Sequence, residues 1–275
     1  MAVMSDLVFS PETYAELFTD WNRYPDAVPF AGGTALLRDR PSPDLPSVVL
    51  SLDKIEEMRR ITRSERYLEI GAMVRLSRII ELRKFGPGVL VHCLRNIAGP
   101  QLRNMATIGG NVCGHLDCVT AFTALDAQYE LRSAQSSRWI TAARFSPEPG
   151  PGALGQREIL SRIRVPLDNW DYSAYKKFAV QSSTTGAGRN AVFLAMAQKN
   201  VLTDMRIICK ASDRILRDRD SEIFLVGKRL PLTRRIAAVF VGRWENFLRD
   251  AGNVDELSGK EFVNFIEANV ENLVE

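Results

Sequence analysis

Two short glycine stretches carry most of the chemistry that can be read from this chain. The first is Pro29-Phe30-Ala31-Gly32-Gly33-Thr34-Ala35-Leu36. The second lies within Gln101 to Asp117, with Thr107-Ile108-Gly109-Gly110-Asn111 at its centre. Each sets two residues without side chains beside a threonine and behind apolar residues. Backbone N–H groups exposed in such a turn, or at the helix start it feeds, can close around an anionic oxygen, and a threonine hydroxyl adds a donor. The pair reads as two halves of one phosphate cradle, which the rest of the chain has to bring together; a lone Gly-Gly would carry little weight.

The other chemically able residues form no comparable pattern. His115 follows the second stretch, but no acid, base and nucleophile gather around it in the sequence, and no catalytic residue is assigned. Cys93, Cys113, Cys118 and Cys209 are too few and too scattered for a disulfide framework. Cys113 and Cys118 lack C-x-x-C spacing, so no metal ligand is assigned and the thiols read as reduced and packed.

The elements that must position the glycines follow from capping and periodicity. Ser10-Pro11 reads as a helix start, with Tyr14, Leu17, Phe18 and Trp21 on one apolar face. Ala27 to Ala31 reads as a strand running into Gly32-Gly33, then Thr34 to Arg38 as a turn into a helix or loop. Ser47 to Leu52 and Tyr67 to Ala72 are strands, Asp53 to Thr62 a charged helix or turn, Ser77 the cap of a helix to Phe85, and Val89 to Ile97 a further helix. Past the second glycine stretch, Val119 to Ala127 reads as a helix, Gln128–Arg132 and Arg138–Thr141 as a hairpin, and Glu158–Pro166 as an alternating strand. From Asn169 on, Tyr172–Val180, Ala191–Gln198, Met205–Ala211 and Glu222–Val226 read as strands of a separate sheet, although 191–198 is equally compatible with helix. Pro231–Asp250 and Ser258–Leu273 are amphipathic helices. Three units emerge: 1–55, 56–166 and 167–275.

Bulk properties narrow the classes. The 275 residues are 45% hydrophobic and 25% charged with a net charge of +3, which suits a globular protein of two or three units and gives no argument for nucleic acid. Arg214, Arg217 and Arg219 alternate with acids and read as a solvated face. No apolar run approaches a membrane span and the first ten residues lack a secretory signal, so a cytoplasmic location is expected.

The order A-G-G-T-A-L-L, Leu68-Glu69-Ile70-Gly71-Ala72, L-R-N-M-A-T-I-G-G-N, A-L-D-A, Ile163-Arg164-Val165-Pro166 and Tyr175-Lys176-Lys177 resembles the FAD-binding medium subunit of molybdenum hydroxylases, of the xanthine dehydrogenase and aerobic carbon monoxide dehydrogenase types. The resemblance covers nearly the whole chain and is strongest over 29–131. It implies an α+β fold: a two-part vanillyl-alcohol-oxidase-type (PCMH-type) FAD-binding module in 1–55 and 56–166, then a small α+β C-terminal domain in 167–275. It implies FAD as cofactor, with Ala31, Gly32, Gly33, Thr34 and Ala35 in one diphosphate turn and Thr107, Ile108, Gly109, Gly110 and Asn111 in the other. It further implies Asp117 on a ribose hydroxyl and Lys177 near the flavin edge. A molybdopterin-binding large subunit and a small subunit with 2Fe-2S clusters would be the partners, with NAD or a quinone as electron acceptor.

The chain departs from the family pattern in two places. Only Val112 to Leu116 separate Asn111 from Asp117, which reads as a short deletion, and Asp117 could equally cap the helix that follows. The residues after Lys177, 180–190, are also rewritten. These departures leave open a flavin-free docking subunit of the same kind of complex. A stand-alone flavin oxidase or reductase is a third reading, which the missing catalytic constellation disfavours.

Overall fold

The structure, a computed structural model, describes residues 7–38, 46–146, 150, 152–178, 188–252 and 254–274. The first elements are β1 (Leu7–Phe9), α1 (Tyr14–Arg23), β2 (Val28–Phe30), α2 (Thr34–Arg38), β3 (Val48–Ser51), β4 (Ile61–Arg63), β5 (Tyr67–Gly71) and α3 (Leu76–Ile80). Then come α4 (Gly88–Arg95), α5 (Pro100–Met105), α6 (Ile108–Cys113), α7 (Cys118–Ala124), β6 (Gln128–Arg132), β7 (Ser137–Thr141) and β8 (Ile159–Pro166). The last are β9 (Tyr172–Phe178), β10 (Arg189–Gln198), β11 (Val201–Ala211), β12 (Arg214–Leu216), α8 (Arg219–Leu225), α9 (Arg234–Asp250) and α10 (Glu256–Glu271).

The chain divides into two compact units: 1–86, 97–119 and 125–167 in the first, and 87–96, 120–124 and 168–275 in the second. The first holds a parallel three-stranded sheet, β1-β3-β2, and an antiparallel five-stranded sheet, β4-β5-β8-β6-β7. β8 alternates inward Ile163 and Val165 with outward Arg162 and Arg164, the pattern of a sheet with one face toward the core. On the outer face Glu69 accepts from Arg162 at 2.9 Å and from Arg164 at 2.8 Å, and Arg164 stacks 4.2 Å from the Trp139 ring. Burial raises the Glu69 pKa, and the two guanidiniums outweigh it, so the carboxyl ends below its ordinary value.

The second unit is the antiparallel sheet β12-β11-β10-β9, with α10 packed on β10 and α4 on β9. Phe178, Phe193, Phe240, Trp244 and Phe262 fill its core. β10 is buried without a break from Asn190 to Ala195, six of its ten residues. A central strand covered in this way loses the polar alternation that marks a half-exposed one, which is why 191–198 is ambiguous in sequence.

Several boundaries differ from expectation. Glu222–Val226 is not a strand: 222–225 belong to α8, which Asp218 caps by accepting from the N–H groups of Asp220 and Ser221. A five-residue apolar run cannot distinguish the two states, and the deciding signal is the aspartate before it. α1 opens not at Pro11 but at Tyr14, where Thr13 accepts from Glu16 N–H and Glu16 in turn accepts from Glu12 N–H. The Thr13 hydroxyl thereby satisfies an orphan donor of the first turn. Ser77 lies inside α3 rather than at its cap, and α9 starts behind Thr233, not at Pro231. Arg217 is not solvated; it forks onto the buried Glu222 at 3.0 and 2.9 Å. Cys113 is exposed, whereas the other three thiols are buried. No helix among the described residues is long and apolar enough to cross a membrane.

Candidate functional site

Both glycine stretches lie in the first unit, and tertiary packing brings them together. β2 delivers Ala31 at the end of its pairing with β3, where Leu52 N–H closes on Phe30 O at 2.9 Å. The chain then turns through Gly32 and Gly33. Gly33 has φ +71°, a conformation that L side chains rarely adopt, and a Cβ there would also lie 2.6 Å from the Phe30 ring. Gly32 is required by contact: a Cβ would sit 2.1 Å from the carbonyl oxygen of Met105, two residues before Thr107. The first turn is thus seated directly on the segment that leads into the second.

α2 starts at Thr34, so the N–H groups at its head have no partner within the helix. Those of Gly32, Gly33, Thr34 and Ala35 take no backbone carbonyl among the described residues. Four successive donors, two of them on residues without side chains, suit a diphosphate.

The second stretch is built differently. Thr107 caps α6, its Oγ1 accepting from Gly110 N–H at 3.1 Å, while Ile108 N–H donates to Val74 O at 2.9 Å and Gly109 N–H to Ala72 O at 2.8 Å. Gly109 is pressed against β5's exit so closely that a Cβ would lie 2.7 Å from Ala72 Cβ. Asn111 N–H returns to Thr107 O at 3.1 Å, and the buried Asn111 side chain accepts from Cys118 N–H at 3.0 Å. Asn111 therefore satisfies the first amide of α7. The amides of 108–111 are spent within the protein, and Thr107 N–H is the one in this stretch with no backbone acceptor among the described residues.

A cleft of about 270 Å³ joins the two stretches, with Ala31 on one side, Gly109, Gly110 and Cys113 on another, and Leu52 and Met58 among its apolar lining. Glu158 also borders it, held by the Arg138 guanidinium at 2.9 and 2.7 Å and by Gly155 N–H at 2.7 Å. The Arg138 bonds pull the Glu158 carboxyl below its ordinary pKa. Asp117 is buried at the head of α7, and His115 turns the chain after α6 with φ +48°. Lys177 is exposed on β9 of the second unit, paired in register with Asn190. Of the rewritten segment behind it, 180–187 lies outside the described residues.

Sequence reading gave Arg75, Asp53 and Ala72 no part in the site. Arg75 is bridged antiparallel to Thr107 through its backbone and donates through its side chain to Met105 O and, at 3.1 Å, to Asp53. Its one sequence signal is a cation placed directly after the apolar run Ala72-Met73-Val74.

A protein-family model described as the FAD binding domain in molybdopterin dehydrogenase matches residues 3–168. The chain is similar to the glyceraldehyde dehydrogenase medium chain of Sulfolobus acidocaldarius, with 29% identity over 210 residues, 74% of each chain. It is also similar to the nicotine 6-hydroxylase medium subunit of Paenarthrobacter nicotinovorans, with 30% identity over 72% of this chain and 71% of that one. Among solved structures, quinoline 2-oxidoreductase from Pseudomonas putida 86 superposes with TM-score 0.82 at 22% identity, covering 99% of this chain and 98% of that chain. Reconstituted CO dehydrogenase from Oligotropha carboxidovorans gives 0.81 at 22%, covering 99% of both. At such identity these two likenesses speak for the fold.

Proposed function

The chain belongs to the family of FAD-binding domains of molybdopterin dehydrogenases, it is an FAD-binding oxidoreductase subunit, and we propose on that footing how it holds its cofactor and what it serves. The observation that carries the proposal is the run of amides from Gly32 to Ala35 with no backbone acceptor among the described residues, on a turn too crowded for any Cβ at Gly32. These amides, with the Thr34 and Thr107 side chains, hold the diphosphate of FAD. Ala31, Gly109 and Gly110 form the walls along which the cofactor lies, and Ile108 and Asn111 keep those walls in register through their internal bonds. Asp117 binds a ribose hydroxyl and Lys177 stands near the flavin edge.

FAD, when bound, supplies the redox chemistry; the protein binds, orients and electrostatically tunes it. In this reading 1–55 and 56–166 are the two FAD-binding subdomains and 167–275 is a C-terminal α+β domain. The subunit works in the cytoplasm beside a molybdopterin-binding large subunit and a small subunit with 2Fe-2S clusters, and passes their electrons to NAD or a quinone. The molybdenum and iron–sulfur centres are assigned to those partners.

The test is direct. Purified protein should carry flavin absorption bands, or gain them when FAD is added to the apoprotein. A folded sample that stays colourless and takes up no FAD would overturn the proposal.

A further inference from the structure

Arg75 stands where four segments of the cradle converge, and nothing in the glycine motifs accounts for it. Its backbone bridges Thr107, with Leu76 N–H on Ala106 O and Ile108 N–H on Val74 O. Its guanidinium reaches the Met105 carbonyl with one terminal nitrogen and Asp53, just beyond β3, with the other. The first of these nitrogens also lies 3.2 Å from where a Gly32 Cβ would be. The first glycine turn, the end of β3, the exit of β5 and the α5–α6 junction therefore meet on one side chain. As an ion pair the contact with Asp53 is weak, because the two side chains are 34% and 52% exposed. What distinguishes the site is geometry: a planar fork holds two acceptors from different segments at once, which a lysine ammonium on a flexible stem does not reproduce.

Resting on the reading of this cradle as an FAD site, we propose that Arg75 is its positioning residue. The guanidinium locks the Gly32-Gly33 turn against Met105 to Thr107, so that the open amides and Thr107 address one diphosphate, and it places a fixed positive charge beside that diphosphate. Two of its five N–H donors are used on Met105 and Asp53. The remainder let the charge act on an anion without the clamp opening.

The test compares the full-length wild type with Arg75→Met, which keeps the bulk and removes both fork and charge, and Arg75→Lys, which keeps the charge. Apoproteins are titrated with FAD by flavin fluorescence, and phosphorus NMR is recorded on the bound cofactor. The expectation is that Arg75→Met weakens FAD by about tenfold or more and shifts the two diphosphate resonances, while Arg75→Lys recovers part of the affinity. If Arg75→Met fails to fold, Arg75→Lys carries the test by weaker binding and displaced resonances. Wild-type affinity in the variants overturns the inference, as does weaker binding with unmoved phosphorus resonances, since the effect would then belong to the fold at large. A wild type that takes up no FAD overturns the cofactor reading beneath it.

Discussion

At Gly32 the constraint is a distance, because the nearest atom to an added methyl is a backbone carbonyl that cannot rotate away. Gly32→Ala should therefore cost about 1–3 kcal/mol of stability through overpacking. It should also lose bound FAD, read as a lower thermal midpoint together with a lower flavin-to-protein ratio. Glu158 gives a pH signature at the same scale. Arg138 holds its carboxyl below the ordinary value, so between the folded and unfolded pKa values the unfolded chain binds more protons. That stability is present above the ordinary carboxylate range and is lost as pH falls through the folded pKa. Glu158→Gln should be less stable than wild type near pH 7 by about 1 kcal/mol, with the gap closing as pH falls through the folded pKa, as urea midpoints would measure.

At the scale of elements, α6 and α7 depend on single polar side chains. Thr107→Ala removes the cap of α6 and leaves Gly110 N–H without its acceptor, at a cost of about 1 kcal/mol. Asn111→Ala removes the side-chain acceptor of the buried Cys118 N–H, at a cost of about 1–3 kcal/mol, and hydrogen exchange should quicken across 108–118 before elsewhere. In the second unit α8 is tied to β11 by Glu222, which accepts from Ile207 N–H at 2.8 Å and from Arg217. Burial pushes the Glu222 carboxyl up despite those bonds. Arg217→Ala would leave this carboxylate buried without its counter-charge. About 3–5 kcal/mol should be lost near neutral pH and part of it regained in acid, where the carboxyl protonates.

At the scale of the whole molecule, the path of the chain limits what can be cut. It passes between the two compact units at 86/87, 96/97, 119/120, 124/125 and 167/168, and α4, although early in sequence, packs on β9. A fragment ending at residue 167 would strip α4, with Leu90 and Leu94 buried on it, of its sheet. Such a fragment is expected to aggregate or bind a hydrophobic dye rather than give a dispersed amide spectrum. FAD at about 100 times its Kd should stabilise the intact chain by about 2.7 kcal/mol through mass action, visible as a concentration-dependent midpoint.

The sequence by itself determined the family, the cofactor and most strands and long helices. Those rest on local residue types: glycine pairs beside threonine, alternation in β8, apolar stripes in α9 and α10. It could not determine which amides of the two glycine stretches stay open. That depends on the carbonyls of Ala72 and Val74, some 35 residues upstream, which take the N–H groups of Gly109 and Ile108. Nor could it show that Asn111 tethers α7, that Glu222 is buried in a helix, or that Arg75 bonds both Met105 and Asp53. Each of these is a long-range or side-chain contact with no period and no spacing to announce it. The two glycine motifs look equivalent in sequence. Tertiary packing makes them unequal, leaving the amides of the first without backbone acceptors among the described residues and bonding the second into its own scaffold.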